Sequence, residues 1–181
     1  MRRLMFAVLL AASSLFPGVA AARENNDLLA GDAMTVVLPV VAFGVAYVKD
    51  DAEGEKQWLR DTVIDAALTS GLRFAFNYTS LGRRPNGGNY GFPSGHASFV
   101  FSQAAFLQER YGWKFGVPAL AVATAVSVIR VHEDKHHVRD VVVGGALAYG
   151  VALLTVTPYH AIQLAPIVGP DFLGIRFGRS F

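Results

Sequence analysis

The chain has 181 residues, of which 52% are apolar and 17% charged. A soluble domain carries fewer apolar and more charged residues, so this balance indicates either a tightly packed helical protein or one embedded in a membrane. The absence of cysteine excludes disulfides, thiolate zinc sites and a cysteine nucleophile, and a formal net charge of +2 gives no reason to expect a nucleic-acid partner.

Met1-Arg2-Arg3 is a basic start. Leu4 to Phe16 is apolar apart from Ser13 and Ser14, Pro17-Gly18 breaks the run, and small residues follow to Ala22. Residues 1–22 therefore have the layout of a secretory signal peptide, with cleavage after Ala22. The alternative is a first membrane helix, for which the apolar core is short. Either would carry the following residues across an inner membrane.

Residues 23–159 form the expected domain. Asn25 to Asp32 reads as a polar linker. Ala33 to Val48 is an apolar helix with Pro39 inside it, where a kink is expected. Arg60 to Asn77 reads as amphipathic, with Val63, Ala67, Ser70 and Phe74 on one stripe and Asp61, Asp65 and Arg73 elsewhere. Its charges speak against a span facing lipid. Tyr78 to Phe92 holds Pro85 and several glycines and is a loop.

Further helices are predicted from Ser94 to about Arg110, over Val117 to Val131, and over Asp140 to Thr155. In the last, Gly144, Gly145 and Gly150 allow close helix contact. Residues 160–181 form a separate tail, irregular or extended. The expected fold is all-α: an up-and-down bundle of five helices, or six with the leader. Up-and-down connectivity puts the loop before Ser94 and the turn after Arg130 at the same end.

That end carries the chemistry. Ser94 is a preferred N-cap, and the free amides of Gly95 and His96 behind it form a helix start suited to phosphate. His136 and Asp140 are spaced i, i+4. A carboxylate on one imidazole nitrogen orients the ring and raises the basicity of the other, which makes His136 a candidate nucleophile toward phosphorus. His137, three before Asp140, is its competitor. Arg130 ends an apolar helix, a costly place for a charge without an anion. Arg84 lies in a Gly-rich loop and presents a planar fork suited to two phosphate oxygens. His132-Glu133-x-x-His136 also matches the zinc-protease pattern, but Arg139 and Val142 stand where its extended form needs Gly and His.

Together, Arg84-Pro85, Pro93-Ser94-Gly95-His96 and Arg130-x5-His136-x3-Asp140 resemble the three motifs of the type 2 phosphatidic acid phosphatase (PAP2) superfamily, over roughly Asn77 to Leu147. The resemblance implies a phosphatase without a metal cofactor, acting on a phosphorylated lipid or small phosphate ester, with a membrane as its expected setting. It implies that His136 attacks phosphorus, Asp140 orients it, and His96 protonates the leaving oxygen. Arg84, Arg130, Ser94 and the Gly95 amide would hold the phosphoryl oxygens. Two positions depart from the pattern. Asn77 stands where lysine is expected, as an uncharged phosphate ligand, and Ile129 stands where serine is expected. Arg73, Arg83 or Lys135 could replace the missing charge; failing that, the chain would bind phosphate or lipid without turnover.

Overall fold

The computed structural model describes residues 26–159, 162–169 and 172–179, with side chains over 31–159. The leader, residues 1–22, lies outside them. Among the described residues, five helices follow one another: α1 (Asn26–Val48), α2 (Ala52–Phe76), α3 (Gly95–Tyr111), α4 (Trp113–His132) and α5 (Val138–Thr155). The tail forms two strands, β1 (Ile162–Gly169) and β2 (Phe172–Arg179), paired antiparallel so that Gly169 faces Phe172 and Ile162 faces Arg179.

The first helix differs from expectation. It begins at Asn26 and runs through Pro39, so Asp32 is helical and not part of a linker. A polar stretch at a helix start reads like a loop because both favour the same residue types. The bundle is organised on α3, which packs against each of the other four helices. Its Val100, Ala104, Phe106 and Leu107 are buried with Ala42 and Ala46 of α1, Trp58 of α2, Ala123 of α4 and Ala152 of α5. The small residues let the helices close on α3.

The helix α2 is turned the other way from its sequence reading. Its charges speak against a lipid-facing span, yet Val63 and Phe74 of the apolar stripe are 55% and 68% exposed, while Asp61 and Asp65 are 0% and 1% exposed. Both carboxylates are satisfied by hydroxyls. Asp61 accepts from Ser102 Oγ and Thr155 Oγ1, each at 2.8 Å, and Asp65 accepts from Ser98 Oγ at 2.7 Å. Val36, Val40, Val128, Val142 and Leu154 also face outward. Apolar side chains outside and hydrogen-bonded polar ones inside suit a lipid surround, where helices gain nothing by hiding apolar faces from each other. Helices α1, α4 and α5 are each long and apolar enough to cross a membrane. The bundle is that of a membrane protein.

Candidate active site

Three local features bring the chemistry to one end. First, Ser94 caps α3: its backbone is extended and its Oγ accepts from the Ala97 amide at 3.4 Å. The amides of Gly95 and His96 therefore have no carbonyl one turn earlier in the helix. Second, Ser94 N–H donates to the Asp140 carbonyl at 2.9 Å, which locks the start of α3 to the start of α5. Gly144 permits this approach, because a Cβ there would lie 2.7 Å from the Ser94 carbonyl oxygen. Third, the loop before α3 is tied to the turn after α4, where Asn86 N–H donates to the Asp134 carbonyl at 3.2 Å.

The two neighbouring histidines divide cleanly. His136 is 2% exposed, and its Nδ1 lies 2.8 Å from the Gly91 carbonyl oxygen. A carbonyl only accepts, so Nδ1 carries the proton and Nε2 keeps its lone pair. Asp140, fully buried, has Oδ2 3.8 Å from the same Nδ1 and 2.8 Å from the His137 amide, which donates to it. Asp140 thus acts first as a helix-start cap and supports the imidazole from a longer distance. Burial pushes the His136 imidazole below its ordinary pKa; Asp140 works against that shift, the Arg84 charge adds to it, and the Gly91 carbonyl opposes it. That direction favours the neutral imidazole. His137 is the N-cap residue of α5.

The cations are incompletely paired. Arg130 is 6% exposed; its Nη2 donates to Asp32, and its Nε is buried without a partner. Arg84 is half-buried, and its Nε is likewise enclosed and unpartnered. Burial lowers the pKa of Arg84, and the neighbouring Arg130 charge lowers it further. Arg83, next in sequence, is exposed. His96 lies at the open side of the site, with its side chain 27% exposed and its Nε2 3.5 Å from Asp32.

The two departures from the motif pattern have local work of their own. Asn77 ends α2, and its Oδ1 accepts from the Tyr90 amide at 3.0 Å, which ties down the loop. Arg73 reaches the Tyr90 carbonyl at 3.3 Å. Ile129 packs on α1: its Cγ2 lies 3.6 Å from where a Cβ on Gly31 would sit.

The zinc pattern is dismantled by geometry. His132 ends α4 and is exposed, whereas His136 lies in the turn beyond and is buried, so the two do not share a helical face. Among the described residues, no group of three or more His, Cys, Asp or Glu is placed to hold a metal ion. Sequence reasoning missed Asp32 and the Gly91 carbonyl. Asp32 had a signal, being the single charged residue between Gly31 and Val48. A backbone carbonyl has none.

Comparison with known proteins identifies the family and the fold. The PAP2 superfamily model matches residues 4–163. The chain is 31% identical over 155 residues to a lipid A 4'-phosphatase of Helicobacter pylori, covering 80% of this chain and 78% of that protein. It is 30% identical over 123 residues to a lipid A 1-phosphatase of Helicobacter pylori, covering 65% and 63%. Its fold resembles that of Aquifex aeolicus LpxE (TM-score 0.53, 16% identity, 83% of this chain and 93% of that one). It also resembles the first transmembrane PAP2 type phosphatidylglycerolphosphate phosphatase from Bacillus subtilis (TM-score 0.56, 20% identity, 82% and 84%).

Proposed function

The chain belongs to the PAP2 superfamily of phosphatases, and from that premise we propose that it hydrolyses a phosphate monoester or diphosphate on a membrane lipid. The reaction takes place at the periplasmic face, after export directed by residues 1–22, and it proceeds through a phosphohistidine. The observation that carries this reading is the pair of enclosed, unpartnered Nε groups on Arg84 and Arg130, beside a neutral histidine. A buried charged donor without an acceptor is destabilising, and two such cations side by side are more so. An oxyanion between them removes both penalties.

The Nε2 lone pair of His136 attacks phosphorus. The bond to the leaving oxygen breaks, and its electron pair takes a proton from His96. The second step reverses the roles: His96 removes a proton from water, the water oxygen bonds to phosphorus, and the phosphorus–nitrogen bond breaks to restore His136. Arg84, Arg130, Ser94 and the Gly95 amide hold the equatorial oxygens as charge moves onto them. Arginine, and no metal, supplies the positive field. The curated relatives make a lipid A-type glycolipid phosphate the first substrate to try.

The test is phosphate release by purified protein in detergent with EDTA present. The panel holds lipid A, phosphatidic acid, phosphatidylglycerol phosphate, undecaprenyl diphosphate and an aryl phosphate. Release by the wild type and not by His136→Ala is the expected result. A second reading, binding without turnover, draws on the motif departures: Asn77 is engaged with Tyr90, and Ile129 packs on α1 in place of a serine hydroxyl. Tight phosphate binding with no release from any substrate would favour it.

A further inference from the structure

Helix α1 carries no part of the three motifs, yet it delivers a carboxylate to the site. Gly31 lies against Ile129, and this close seating of α1 on α4 brings the next residue, Asp32, to the site. One oxygen of Asp32 meets two site residues: Oδ1 accepts from Arg130 Nη2 and lies 3.5 Å from His96 Nε2. Asp32 is the single charged residue between Gly31 and Val48 in a helix able to cross a membrane. A carboxylate there is costly, and it persists where it has partners.

We propose that Asp32 is a positioning residue for proton transfer to the leaving group, holding the His96 ring from Nε2, whereas Asp140 supports His136 from Nδ1. The site then holds two imidazole–carboxylate pairs, one for the nucleophile and one for the acid. A carboxylate at an imidazole nitrogen fixes the ring and favours its protonated form; burial pushes the His96 pKa down to about 4, and Asp32 is the main group opposing that shift. The pair is partly open, with Asp32 29% and His96 27% exposed, whereas His136 and Asp140 are closed off. A proton donor that must meet a leaving group, and later water, belongs on the open side. Arg130 meets Asp32 through Nη2, while its Nε has no partner and is left for a phosphoryl oxygen.

This inference rests on the phosphatase reading, and its test separates the two. The proton matters in the step that breaks the ester bond, which kcat/KM reports. An alkyl or sugar phosphate leaves as an alkoxide and needs that proton, whereas 4-nitrophenyl phosphate leaves as a stable phenolate. Asp32→Asn should lower kcat/KM for the lipid phosphate roughly ten- to hundredfold more than for 4-nitrophenyl phosphate. Asp32→Glu should restore part of the difference. The ratio within one variant cancels any loss of folded protein. Equal losses on both substrates would overturn the role assigned to Asp32, because holding Arg130 alone affects both alike. Absence of release by the wild type would overturn the phosphatase reading and this inference with it.

Discussion

Two arginines are almost fully buried at opposite ends of this bundle, and they are wired differently. Arg110, at the end of α3, is 4% exposed and fully engaged. Its Nε and Nη2 donate to the two oxygens of Asp51 at 2.8 and 2.6 Å, and its Nη1 donates to the Thr157 carbonyl at 2.7 Å. Tyr111 and the Gly54 amide complete the same carboxylate. Arg130 is 6% exposed and keeps one buried nitrogen without a partner, as does the neighbouring Arg84. Burial of a cation therefore does not mark a site. Incomplete pairing distinguishes the two ends: the Arg110 end is a clamp, and the Arg84–Arg130 end is the anion receptor we propose.

The largest expected effect falls on the receptor end. His136→Ala should abolish release of phosphate, while His137→Ala, which alters only a helix start, should retain most of it. Equal loss from both would break the assignment of the nucleophile. Next in size, Arg84→Gln should lower kcat/KM by roughly a hundredfold to a thousandfold without lowering the unfolding temperature in detergent, because it removes an unpaired buried charge. Arg110→Ala should do the opposite. It strands Asp51 and should cost about 3–5 kcal/mol of stability, leaving kcat/KM of the folded protein near the wild-type value. Matching behaviour of the two variants, in either measurement, would erase the distinction between clamp and receptor.

A smaller effect is expected in the pH profile. The depressed pKa of His136 keeps its lone pair free at neutral pH. The acid limb of kcat/KM should therefore lie below the ordinary histidine value of about 6.5. Arg84 helps hold that pKa down, so Arg84→Gln should shift the limb upward. A downward shift would contradict the electrostatic account. The smallest effect belongs to the polar seam between the two ends. Ser102→Ala removes one of two hydroxyls on Asp61 and should cost about 0.5–2 kcal/mol, read as a modest fall in unfolding temperature with turnover retained.

Much of this was legible in the residues. Apolar runs broken by Gly and Pro mark the helices, and the spacing of Arg84, Ser94-Gly95-His96, Arg130, His136 and Asp140 marks the candidate site. The orientation of α2 was not legible, because helical period is blind to what lies outside. Val63 and Phe74 form a stripe whether they face a core or lipid, and only the hydroxyls of Ser98, Ser102 and Thr155, on other helices, turn Asp61 and Asp65 inward. Asp32 was lost in a stretch that resembles a linker. The Gly91 carbonyl, which sets the His136 tautomer, carries no side-chain signature. Those features depend on contacts between segments far apart in sequence.

The account stands or falls on which end takes the anion. The most direct measurement is the unfolding temperature of the purified protein in detergent as inorganic phosphate is added, for wild type, Arg84→Gln and Arg110→Ala. A ligand that binds only the folded state raises that temperature. The account predicts a phosphate-dependent rise for wild type and for Arg110→Ala, from its lower starting point, and little or none for Arg84→Gln. An undiminished rise in Arg84→Gln, or its loss in Arg110→Ala alone, would contradict it.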